Sequence, residues 1–190
     1  MRFREPRAAL LVALASAVVR ASSLAAQAPN VRLERGRAGQ FELGQSVDDV
    51  MGLAGRRHVR LVDLDLEGMF TPAIEIRLAD AQSTPSLVVQ IREWPCPYFQ
   101  VWNLVVYDRR FRTVDGIGVG TTLRELRRRY PGLKLGREGG PSAIVESLHM
   151  TFVLSSGTFA DNVQVTQILL WPDPIGVRAR RCPTRDSSRE

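Results

Sequence analysis

The chain has 190 residues, a formal net charge of +6 and a hydrophobic fraction of 44%, the composition of an ordinary globular protein. Its positive charge is almost all arginine, with Lys134 the single lysine, and is not gathered into one basic segment, which argues against a nucleic-acid footprint. After residue 28 no stretch stays apolar for the roughly 20 residues that a membrane-spanning helix needs.

Residues 1–28 read as a cleaved secretory signal. Arg2, Arg4 and Arg7 form a basic start, residues 8–19 an apolar run, and Ala26-Gln27-Ala28 a small-residue cleavage site. Arg20 interrupts the apolar run too early for a membrane anchor. The signal carries four arginines, at 2, 4, 7 and 20, against Glu5, so half of the formal net charge belongs to it. The expected location is therefore secreted or periplasmic, with no transmembrane span once the signal is removed. Export also argues against a nucleic-acid partner. In an oxidising compartment, the only two cysteines, Cys96 and Cys182, read as a disulfide. Closing so long a loop is worth about 4 to 5 kcal/mol on the chain-entropy model. The alternative is two unpaired thiols.

Residues 29–40 read as a linker. A repeat follows: Phe41-Glu42-Leu43-Gly44-Gln45-Ser46-Val47-Asp48-Asp49-Val50 aligns with Ile117-Gly118-Val119-Gly120-Thr121-Thr122-Leu123-Arg124-Glu125-Leu126. Ser46 and Thr122 are the expected helix N-caps. Asp49 and Glu125 take the acidic position of a capping box, with Glu125 the better match because Asp is shorter. Gly44 and Gly120 allow the sharp turn into each helix. Val47 with Val50, and Leu123 with Leu126, give each helix a core-facing stripe. After the first helix, strands are expected at 59–67, 73–79, 87–94 and 101–108; after the second, at 134–137, 148–154 and 163–171. The last strands also match, residues 101–107 against 165–171. The pattern predicts an α+β fold of two imperfect tandem units, each a short helical segment packed on antiparallel β-sheet. Unit 1 spans 41–113, unit 2 spans 114–175, and a basic tail covers 176–190.

The Gly-x-Ser/Thr-x-x-Asp/Glu-apolar helix start, repeated before antiparallel sheet, resembles the tandem units of β-lactamase-inhibitor-like proteins. It is also similar to the helix start of small outer-membrane assembly lipoproteins of the SmpA/OmlA type. The resemblance implies a fold and an envelope protein that binds other proteins; it implies no activity. This chain has no lipobox, and no inhibitor contact residue can be matched.

Chemistry-bearing motifs are few, and the chain reads as neither an enzyme nor a cofactor or metal protein. In Gly116-Ile117-Gly118-Val119-Gly120 the third glycine of a dinucleotide loop would fall on Thr121. Asp63-Leu64-Asp65-Leu66-Glu67-Gly68 starts like a calcium loop, but its twelfth position is Ile74. Alternating leucine and acid reads instead as a strand with a solvated acidic side. His58 and His149 lie outside any metal spacing, and no Gly-x-Ser-x-Gly elbow is present. Arg124, Arg127 and Arg128 form the solvated side of the second helix.

The matched last strands carry the functional expectation. Alternation puts Leu104, Val106, Ile168 and Leu170 on one face and Val105, Tyr107, Leu169 and Trp171 on the other. A sheet with its core on one side ordinarily shows water a polar face. The apolar second face, with Trp102 nearby, is therefore the expected binding surface for another envelope or extracellular protein. The bland alternative is that the tails, the 87–94 arm or a second copy covers this face; the functional alternatives are a small-molecule or lipid carrier using the same surface, and an uncharacterised hydrolase.

Overall fold

In the computed structural model, residues 31–66, 68–78, 83–93, 98–137 and 139–173 are described. The signal, both cysteines and the tail from 176 lie outside them. The chain runs β1 (Arg32–Glu34), β2 (Arg37–Ala38), β3 (Phe41–Glu42), α1 (Val47–Ala54), β4 (Val59–Leu66), β5 (Met69–Ile76), β6 (Leu87–Arg92) and β7 (Gln100–Val106). It continues through β8 (Arg112–Thr113), α2 (Leu123–Arg129), β9 (Lys134–Gly136), β10 (Ser142–Val145), β11 (Met150–Leu154) and β12 (Val165–Leu170).

Two meanders make the main sheet. β4 to β7 and β9 to β12 each fold as consecutive antiparallel strands, and they join where β7 pairs β12, giving the order β4-β5-β6-β7-β12-β11-β10-β9. A second sheet, β3-β2-β1-β8, has four strands, of which β1 and β8 run parallel.

The expected α+β fold is not what forms. The described part of the protein is mostly β, with 45% of the described residues in strands. The two α-helices among the described residues have 8 and 7 residues. The reason is physical. Gly55 stops α1 with φ 76°, and Pro131 follows α2 closely, so neither helix grows beyond about two turns. Each buries two residues, Val50 and Ala54 in one, Leu123 and Leu126 in the other. That is too little to cover a sheet face. The four-stranded sheet completes the cover, and β1 and β2 lie in the segment expected to be a linker. Leu33, Ala38, Phe41 and Phe111 close over Ile74, Ile76, Leu87, Leu104, Val106, Phe152, Ile168 and Leu170, in one cluster with both helices.

The repeated helix starts do make equivalent hydrogen bonds. Gly44 N–H donates to Val101 O and Gly120 N–H to Val165 O, both at 2.8 Å. Val101 N–H returns to Gln45 O and Val165 N–H to Thr121 O, both at 2.9 Å. Gly44 and Gly120 have φ 84° and 88°, the left-handed conformation that the turn requires. These contacts hang each short helix from a central strand of one continuous sheet rather than stacking it as a separate layer.

Candidate functional site

The second face of the eight-stranded sheet, opposite the main core, is built from the strands' second set of side chains. Val88 pairs Val105 across β6–β7, and Val105 pairs Leu169 across β7–β12. Ala73, Val88 and Val105 are buried there, with Val62, Leu64, Tyr107 and Leu169 packed around them, apart from the main core. The strip is narrow. Gln90 and Asn103, paired across the same two strands and hydrogen-bonded at 2.9 Å, border it, and Gln167 lies on β12.

The five residues expected to form the binding surface do not form one exposed patch. Val105 is only 7% exposed. Tyr107, Leu169, Trp171 and Trp102 are half-buried. Leu169 lies directly opposite Val105, but the register places Tyr107 beyond the Val106↔Ile168 pair and Trp171 beyond the Leu104↔Leu170 pair. At about 3.3 Å per residue, the two aromatic residues lie about 13 Å apart along the strands, and of the two only Tyr107 packs on the strip.

Each end has its own chemistry. At the first, burial and then the Glu75 charge push the Tyr107 phenol above its ordinary value. Glu75 holds Arg77 at 3.3 Å. Tyr107 N–H donates to the carbonyl of the buried Ser86. Next in the chain, burial pushes the Asp108 carboxyl up. Hydrogen bonds from the Arg110 guanidinium and backbone N–H, the Arg110 charge and the Ser86 hydroxyl outweigh that and hold it below the usual carboxylate range.

At the other end, Trp171 stacks on His149 with ring centroids 4.5 Å apart and planes 10° from parallel. His149 holds a left-handed backbone, φ 52° and ψ 48°, between a 3₁₀ turn and β11. Arg35 Nη2 lies 2.8 Å from His149 Nε2 and 2.8 Å from Asp173 Oδ2. A guanidinium only donates, so Nε2 accepts. These contacts fasten the β1–β2 turn to the segment after β12. Trp102 reaches the surface through a bulge. The β6–β7 register steps from Gln90↔Asn103 to Ile91↔Val101, which makes Trp102 the extra residue. Its ring lies 5.0 Å from the Arg92 guanidinium carbon, within cation–π range.

Four predicted caps sit at helix starts. Thr122 and Glu125 form a reciprocal capping box on α2. Ser46 Oγ accepts from Asp49 N–H, while Asp49 Oδ2 accepts from Ser46 Oγ at 2.8 Å and so does not close the box. On α2, Arg127 and Arg124 pair with Asp161, at 2.7 and 3.5 Å. Cys96 and Cys182 fall outside the described residues. Among the described residues, no group of three or more His, Cys, Asp or Glu is placed to hold a metal ion.

Sequence reading missed the most exposed apolar feature. β4 and β5 form one long hairpin that ends at Leu66↔Met69 around Gly68, φ 82°. Met69 is 70% and Phe70 78% exposed. The signal was the two-residue Glu67-Gly68 step between alternating runs, a hairpin-turn signature.

No protein-family model and no curated protein matches the chain. Among solved structures, the fold is similar to that of the uncharacterized protein yfeY from Escherichia coli. The TM-score is 0.52 at 15% identity, over 75% of this chain and 99% of that one. The likeness is one of fold alone. It bears on neither family that the helix starts resemble.

Proposed function

We propose that this is an exported, non-catalytic recognition module that binds another envelope or extracellular protein across the second face of its eight-stranded sheet, opposite the core. The observation that carries the reading is the apolar strip Val62, Leu64, Ala73, Val88, Val105 and Leu169 on the face opposite the core. Water selects polar side chains on such a face unless something covers it. An apolar centre with a polar border, here Gln90 and Asn103, is the anatomy of a protein interface. The resemblance of the helix starts to envelope proteins that bind proteins supports the same reading.

The test uses Tyr107→Ala/Leu169→Glu, first checked for an unchanged circular dichroism spectrum. Wild type, this variant and Arg124→Glu, a control on the α2 surface, are incubated with envelope extract. A protein retained by wild type and control but not by the face variant supports the reading. Equal retention by all three overturns it; lipid co-purifying with wild type in that case would bring the carrier reading forward.

A further inference from the structure

The distal half of the β4–β5 hairpin is a long sheet edge with two chemically different sides. The β5–β6 ladder ends at Ala73↔Gln90, and the next residue of β5, Pro72, has no N–H with which to extend it. β4 and β5 continue together without β6 from Asp63↔Pro72 to Leu66↔Met69. β4 is one end of the eight-stranded order and β9 is the other. Natural sheets guard their edges by shortness, charge or cover. β9 is guarded by shortness, having 3 residues, whereas β4 has 8. The hairpin also keeps Leu61, Leu66, Met69 and Phe70 exposed. Alternation sends Val62, Leu64 and Leu66 to the side of the apolar strip, and Asp63 and Asp65 to the opposite side.

We propose that β4 accepts an added strand from the partner protein, an extended segment in which arginine or lysine alternates with apolar side chains. Residues directly opposite in a ladder share a face and stand about 4.5–5.5 Å apart. Cations on one side of the incoming segment then fall beside Asp63 and Asp65. Apolar groups on its other side fall beside Leu64 and Leu66 and lengthen the strip. Like charges directly opposite each other are destabilising. The same two aspartates therefore turn away acidic segments. The inference rests on the recognition reading and deepens it by naming the partner's conformation and charge pattern.

Fluorescence anisotropy with the full chain and a labelled peptide, Thr-Val-Arg-Val-Arg-Val-Thr, tests the proposal. One comparison peptide has the same composition with the two arginines adjacent; another replaces both arginines by glutamate. Two more carry N-methyl groups on alternate amides, in the two possible phases. The alternating arginine peptide is expected to bind, one methylation phase to abolish binding and the other to spare it. Asp63→Lys/Asp65→Lys, checked for fold, is expected to weaken binding at least about fivefold and to shift preference to the glutamate peptide. The proposal is overturned if the alternating peptide does not bind, if adjacent arginines bind equally well, if both methylated peptides bind like the parent, or if the variant leaves affinity unchanged. The peptide comparisons on wild type decide even where the variant does not fold. Failure here beside partner loss in the Tyr107→Ala/Leu169→Glu variant rejects the edge and keeps the face.

Discussion

Gly118 shows how closely backbones approach around the second helix start. A Cβ built there would sit 2.4 Å from Phe111 O, a contact that real side chains do not make. Gly118→Ala should therefore lower stability by about 1–3 kcal/mol. Gly116 is a contrasting neighbour: its φ is 77°, but nothing lies within 4 Å of its Cβ position. Gly116→Ala should cost about 1 kcal/mol, from the backbone alone. Urea denaturation of the two variants separates these effects. At the far end of β7, Asp108 contributes a pH-dependent increment. Its pKa is lowered in the folded state, so the increment is present above the unfolded carboxylate value, about 3.9, and is lost as pH falls through the folded value. Asp108→Asn should cost about 1 kcal/mol at pH 7, and the gap to wild type should narrow below about pH 4. Urea unfolding from pH 3 to 7 measures it.

The two helices have the same start in sequence and different closures in space. Thr122 N–H donates to Glu125 Oε2 at 2.8 Å, and that bond, then the one from the Thr122 hydroxyl, pulls the Glu125 carboxyl below its usual range. Asp49 accepts only from the Ser46 hydroxyl among the bonds of its box. Thr122→Ala should cost about 1 kcal/mol. Glu125→Ala should cost more than Asp49→Ala in the same thermal melts, because only Glu125 holds the N-cap amide. These helix starts were legible because capping and the αL glycine turn are local, decided within a few residues. The alternation at 101–107 and 165–171 was equally legible, being a period of two. What covers the core was not. β1, β2 and β8 have 3, 2 and 2 residues, too short for any period to show. Leu33 pairs Ala38 locally, but its pairing with Thr113 joins β1 to β8 across a contact distant in sequence. The sorting of Val105 and Leu169 onto the face opposite the core followed from alternation. Trp102 did not, since a bulge shifts the phase and only the partner strand reveals it.

At the scale of the whole molecule, protection should follow position in the sheet. β7 and β12 are central, paired on both sides, and carry Leu104, Val106, Ile168 and Leu170 into the core. The hairpin beyond Pro72 has one ladder and exposed side chains. Hydrogen exchange read by mass spectrometry should find the amides of 104–106 and 168–170 slowest and those of 63–71 among the fastest in strands. Uniform exchange across both regions would contradict this reading. The seam between β7 and β12 has a further consequence. Each meander closes its own strand pairs, and the register across the seam is Val106↔Ile168, Leu169↔Val105 and Leu170↔Leu104. Between the meanders the chain crosses a turn where Val114 is 74% exposed. A protease nick there removes no strand pair. The nicked halves should stay together as a two-chain complex, held by the seam and by the core that both halves share, and the molecule behaves as a dimer whose subunits happen to share one peptide bond.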